Sequence, residues 1–107
     1  MNHQFKISAL EYTEGKVKGF AGSPLLELEN GAVKLVKIAA HSQYPEHAHP
    51  QKTEYAFVVE GTPEFEIGGN TYQCQSGEFY VFPTNMKHKI VNKGDGECVL
   101  LIGSINN

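Results

Sequence analysis

His47 and His49 flank a single alanine, Glu54 follows five residues after His49, and His88 stands on a separate apolar segment. Three imidazoles and a carboxylate form the donor set of a first-row transition ion. On a six-coordinate ion such a set leaves two positions for water, substrate or O₂, whereas a structural zinc site is closed by four ligands. Imidazole binds as the neutral base, so protonation near its ordinary pKa of about 6.5 competes with the ion, and metal release is expected below about pH 6.

The spacing constrains the elements that must hold these groups. His47 and His49 are two apart, so on one strand their side chains leave from the same face. Glu54 lies an odd number of residues beyond His49 and would point to the opposite face of an unbroken strand. Pro50 cannot continue a hydrogen-bonded ladder, so it interrupts the strand and resets the parity. His88 follows Pro83-Thr84-Asn85, a turn signal, and begins a returning strand.

Apolar residues recur at period two or in short unbroken runs, punctuated by Gly, Asn and Pro, and no helical stripe is sustained. The chain therefore reads as all-β, with about eight or nine short strands in a two-sheet sandwich or barrel. Leu25 to Glu29 and Ala32 to Ala39 flank Asn30-Gly31, which predicts a type I′ hairpin turn. Thr53 to Glu60 and Pro63 to Ile67 meet at Gly61. Gly68-Gly69-Asn70 leads into Thr71 to Gln75, and Ser76-Gly77 into Phe79 to Phe82. His88 to Asn92 and Glu97 to Ile102 close the set around Gly94-Asp95-Gly96.

Alternation in Glu64 to Ile67 places Phe65 and Ile67 on a buried face and both glutamates in water. The parity slip between Leu35 and Val36 predicts a bulge or burial on both faces. Residues 1–24 are less periodic and read as an edge strand, an arm, or a segment exchanged between subunits.

The 107 residues form one domain, 1–107, without repeat or internal boundary. A formal charge of -3, nine lysines and no arginine exclude the phosphate-binding surface of a nucleic-acid protein. No apolar stretch approaches the roughly 20 residues of a membrane span, and Met-Asn-His-Gln-Phe-Lys lacks the order of a signal peptide, so a cytoplasmic location is expected. Cys74 and Cys98, with 23 residues between them, read as reduced strand cysteines. The sole aspartate, Asp95, sits in a Gly-rich turn, and no phosphate-cradling GxxxxGK[ST] loop occurs, which disfavours serine and nucleotide hydrolysis.

His47-Ala48-His49, four residues, Glu54, six residues and Gly61 form one motif, within residues 41–61. Gly77, five residues, Pro83-Thr84-Asn85-Met86-Lys87-His88, three residues and Asn92 form a second, residues 77–92. In order and interval these resemble the two motifs of the cupin superfamily, in its small single-domain form. Two positions depart from that pattern, each replacing a glycine: His41, and Asn85, which tolerates the left-handed backbone better than most residues. His41 reads as a surface residue, with a role beside the site left open.

The resemblance implies a double-stranded β-helix, or jelly-roll, barrel of two antiparallel sheets. It implies His47, His49, Glu54 and His88 as ligands of one divalent transition ion: Fe, Mn, Ni or Zn. All four ligand types are intact, which favours a metal-competent barrel over an empty one. The function implied is a metal-dependent enzyme acting on a small oxygen-bearing metabolite, as a dioxygenase or as an isomerase, cyclase or lyase. The alternatives are a non-catalytic small-ligand sensor or binding cupin with a bound metal, and a barrel that only pairs with another protein.

No catalytic acid or base can be named. Glu46 and Lys87 read as rim groups and Glu78 as structural. Tyr44, Tyr55, Phe57, Phe79, Tyr80, Phe82 and Met86 could line a pocket but read mainly as core. A homodimer is expected through sheet contacts, with Tyr55 and Phe57 on the face opposite Glu54.

Overall fold

A computed structural model describes residues 2–107; Met1, part of the N-terminal segment read above, lies outside the described residues. A 3-10 turn, Ile7–Ala9, precedes ten strands: β1 Thr13–Glu14, β2 Phe20–Leu28, β3 Gly31–Ile38, β4 Ser42–His47, β5 Lys52–Glu60, β6 Glu64–Ile67, β7 Asn70–Gln73, β8 Phe79–Phe82, β9 His88–Asn92 and β10 Cys98–Asn106. They form two antiparallel sheets, ordered β1-β2-β3-β10-β5-β8 and β4-β9-β6-β7. The all-β, two-sheet reading drawn from the punctuation and the jelly roll that the resemblance implies are the observed fold. Among the described residues no helix is long and apolar enough to cross a membrane.

The sheets close on one core. Val36 and Ile38 of β3, Ala56 and Val58 of β5 and Leu100 of β10 meet Phe65 and Ile67 of β6, Ile90 of β9 and Phe82 of β8. Each fully buried side chain of this size contributes about 1.5–3 kcal/mol through lost apolar exposure. Charged residues gather at one end of the inner faces: Lys34 is in phase with Val36 and Ile38, and Lys52 and Glu54 with Ala56 and Val58. The barrel thus has an apolar closed end and a polar mouth.

Several local expectations are corrected. The β2–β3 hairpin turns at Glu29-Asn30, because Leu28 pairs with Gly31, and neither turn residue has the positive φ that type I′ requires. Gly31 serves packing instead: a Cβ there would lie 2.5 Å from the Ser104 carbonyl oxygen of β10. At Leu35 and Val36, where a bulge or burial on both faces is expected, the outcome is burial on both faces, with β3 in continuous register against β10. The ladder irregularity falls in β2 between Pro24 and Leu26, where a proline cannot donate. The Lys37 ammonium stands 4.3 Å above the Tyr12 ring, so the segment before β1 covers the outer face that Leu35 shares with Lys37.

Residues 2–24 thus supply the 3-10 turn, the two-residue edge strand β1 and the start of β2. Glu64 is not in water; it is buried and accepts hydrogen bonds from Gln73 and Lys93, which hold its carboxyl below the ordinary carboxylate range against the cost of burial. Glu66 is half-buried beside Lys89. Cys74 and Cys98 are buried free thiols, and Cys74 lies just past β7 rather than on a strand.

Candidate metal centre

His47 ends β4 and pairs with His88 at the start of β9, so the four-stranded sheet supplies two imidazoles side by side. His49 is not on that strand: it lies in the connection 48–51 that the Pro50 break creates. β5 then starts at Lys52 and turns the Glu54 side chain inward from the six-stranded sheet, where it pairs with Phe82 of β8 and Ser104 of β10. The four candidate ligand atoms lie within 4.8 Å of one another. That separation is about twice a metal–ligand bond of roughly 2.0–2.2 Å.

His47 Nδ1 lies 2.8 Å from the Pro45 carbonyl oxygen, and His88 Nδ1 3.2 Å from that of Met86. A carbonyl can only accept, so each Nδ1–H donates and each neutral ring presents a bare lone pair at Nε2. His88 Nε2 faces Glu54 Oε1 at 3.4 Å, and the same oxygen lies 2.9 Å from His49 Nε2. With His88 neutral and Glu54 ionised, these two atoms are acceptors in contact. A proton or a metal cation between them relieves that repulsion, and the donor set fits a divalent ion of the N/O-binding series.

Burial pulls the His49 imidazole below its ordinary value, with Glu54 opposing the shift. Burial pushes the Glu54 carboxyl up, but the hydrogen bond that His88 donates once its Nε2 is protonated, with the positive charges of His49, Lys52 and that imidazolium, outweighs it and leaves a net lowering. The Phe82 ring stacks on His88 with centroids 4.5 Å apart and 24° between planes, closing the inner side of the cluster against water.

The cluster opens into a cavity of about 510 Å³, lined also by Val36, Ile90, Ile102 and Tyr44. Tyr44 reaches it because β4 carries a register shift between Tyr44 and His47, so residues three apart share a face. Pro45, on the edge strand of its sheet, marks the bulge in the sequence. Of the other pocket candidates, Phe82 lines the cavity, Tyr80 packs on Phe65, Phe57, Phe79 and Met86 are exposed, and Tyr55 stacks with Phe79. Sequence reasoning missed Lys16, Lys34 and Lys52, which also border the cavity. The available signal was phase, since Lys34 alternates with Val36 and Ile38.

Glu46 and Lys87 are exposed, as expected of rim groups, and Glu78 accepts from the Gln75 N–H and the Tyr80 hydroxyl, a structural role. Both departures from the glycine pattern have left-handed backbone: His41 with φ 56° and Asn85 with φ 64°. Asn and His are among the few residue types that adopt it readily. His41 is an exposed residue with Nε2 2.8 Å from Asp95, which agrees with the surface reading.

The sequence model of the family described as "Cupin domain" matches residues 34–103. The chain belongs to the cupin family. The match spans β3 to the middle of β10 and contains all four clustered residues. Among curated proteins, this cupin is 32% identical over 94 residues to germin-like protein 1-1 of Oryza sativa, covering 83% of this chain and 42% of that protein. It is 31% identical over 69 residues to "Polyketide synthase CurC" of Streptomyces cyaneus, covering 64% of this chain and 45% of that one. The chain thus spans less than half the length of these two relatives.

Solved structures share the fold at low identity. The cupin domain of Cnp3 from Schizosaccharomyces pombe superposes with a TM-score of 0.89 at 13% identity, covering 98% of this chain and 74% of that one. A predicted oxalate decarboxylase from Thermotoga maritima gives 0.86 at 18%, covering 95% and 97%. KdgF from Halomonas sp. gives 0.84 at 18%, covering 100% and 96%.

Proposed function

We propose that His47, His49, Glu54 and His88 hold one divalent transition ion, Fe, Mn, Ni or Zn, and that this cupin is a metal-dependent enzyme acting on a small oxygen-bearing metabolite. The observation that carries the reading is convergence: the four ligand atoms lie within 4.8 Å of one another, with His49 Nε2 2.9 Å and His88 Nε2 3.4 Å from Glu54 Oε1, beside a cavity of about 510 Å³. A bound ion would supply Lewis acidity, or O₂ chemistry if it is Fe(II). The chain's residues do the rest. The Pro45 and Met86 carbonyls fix two imidazoles in the ligating tautomer, and Phe82 shields His88 from water. The Tyr44 ring packs 4.9 Å from that of His47 and borders the space a ligand would fill.

The decisive experiment is metal analysis of protein from its native source, followed by anaerobic Fe(II) loading and O₂ uptake with a panel of keto acids, diols and phenols. O₂ uptake places the protein among dioxygenases, turnover without uptake among isomerases, cyclases or lyases. Saturable ligand binding without turnover makes it a binding cupin. Failure to retain any divalent ion overturns the metal reading. We place the protein in the cytoplasm, where Cys74 and Cys98 stay reduced, and as a homodimer formed through the outer face of the six-stranded sheet.

A further inference from the structure

The charged groups at the cavity mouth point to the class of ligand it takes. Besides the four clustered residues, the ionisable side chains lining the cavity are Lys16, Lys34, Lys52 and Glu27. Lys52 is partly engaged, its ammonium 3.9 Å from Glu54 Oε2. Among the described residues neither Lys16 nor Lys34 belongs to an ion pair, and Glu27 lies within ion-pair distance of neither. The cavity is therefore locally cationic on a chain whose formal charge is -3.

Lys34 is the best placed of the three. It pairs across β10 with Ile102, which pairs with Ala56, the next inward residue after Glu54 on β5. Two strand spacings, about 10 Å, separate Lys34 from that column of β5, and both side chains face inward. Its stem runs beside Gly22 of β2, where a Cβ would meet Lys34 Cδ at 3.8 Å, and the exposed side chain borders the cavity. The cavity wall also includes the apolar Val36, Ile102, Ile90 and Phe82. A charged head, an apolar wall and a cluster able to hold an oxygen-seeking cation suit a small organic anion.

We propose that the ligand of this cavity is a small carboxylate whose charged end is held by Lys34, with Lys16 adding to the field at the mouth. The orientation toward the cluster rests on the metal reading above; the charge preference does not. A lysine ammonium supplies a point charge, which serves one carboxylate, and the apolar wall accommodates the carbon body.

The test is titration calorimetry of 2-oxobutyrate and benzoate, each against its amide, into Mn(II)-loaded and EDTA-treated protein, with wild type, Lys34→Met and Lys34→Arg. The acids are expected to bind at least about tenfold more tightly than the amides. Lys34→Met should erase that preference, a loss of about 1.4 kcal/mol, while Lys34→Arg retains most of it. Equal binding of acid and amide, an unchanged Lys34→Met variant, displacement of the acids by inorganic phosphate at equal concentration, or no saturable binding of either acid would overturn the proposal. A separate Mn(II) titration of each variant reads the cluster alone. If the metal fails to bind, the EDTA-treated arm still decides the role of Lys34.

Discussion

At the residue scale, the chemistry rests on which nitrogen of each imidazole carries the proton. The carbonyls of Pro45 and Met86 settle this for His47 and His88, and His88 Nε2 then faces the Glu54 carboxylate. Replacing Glu54 by Gln keeps the shape and removes the charge. Divalent-ion affinity in that variant should fall by more than the about 10–100-fold typical of groups that only support ligands, as read by Mn(II) or Zn(II) titration. The pH dependence follows from the same residues. Burial first, then neighbouring positive charge, lowers the His49 pKa from 6.5, and Glu54 is lowered from 4.5 on balance. In both cases the unfolded chain takes up its proton at a higher pH than the folded one, so stability is complete above the unfolded pKa and declines as pH falls. Metal-free protein should therefore keep constant stability in urea between about pH 7 and 8, lose part below about 6.5 through His49, and lose more below about 4.5 through Glu54. His49→Gln should remove the upper step. A flat profile from pH 7.5 to 5 in the wild type would contradict this assignment.

At the element scale, the turn between β8 and β9 ties the two motifs together. The Asn85 N–H donates to the His49 carbonyl at 2.8 Å, Met86 N–H closes on Pro83 at 3.1 Å, and Thr84 meets Thr53 hydroxyl to hydroxyl at 3.0 Å. With φ of 64° at Asn85, a β-branched residue is strained there while glycine is not. Asn85→Gly should hold or raise stability by up to about 1 kcal/mol, and Asn85→Val should lower it by about 1–3 kcal/mol. The Val variant should also weaken metal binding, because the strain is transmitted to the backbone of His49; denaturation and metal titration of the pair check both parts. The elements that pattern revealed best are those bounded by strong turn residues. β8 and β9 have the expected limits because Gly77 and Pro83-Thr84-Asn85 frame them. β4 was legible only through His47 at its end, because Ser42–His47 is a polar edge strand whose ladder is supplied by β9 and whose register shifts between Tyr44 and His47. β10 runs on to Asn106 past the apolar run, since Gly103 gives its Cβ space to the Tyr55 ring. Of the site, the four clustered residues were readable from type and spacing. The lysines were not, because a lysine in phase with core residues looks the same in sequence whether it borders a cavity or solvent.

At the scale of the whole molecule, one surface runs against the rule that monomers avoid broad apolar patches. Tyr55 and Phe57 of β5 face outward opposite Glu54, and pair with Val81 and Phe79 of β8, the far edge strand of the larger sheet. Phe79 is 58% exposed, Val81 47% and Phe57 36%, and Ile105 of β10 continues the patch at 58%. β8 also leaves one edge without a partner strand among the described residues, and an uncovered apolar edge invites pairing. A second copy is the occupant that satisfies both features at once, since two-fold symmetry brings the same patch against itself and lets both edges be covered together. Sedimentation velocity of the wild type should show a dimer across the micromolar range. Phe79→Lys together with Val81→Lys should shift it to monomer with little change in melting temperature of the isolated fold, because neither side chain belongs to the buried core. Metal binding should survive in that monomer, because all four clustered residues come from one chain. A monomeric wild type at high concentration would leave the patch without its proposed partner.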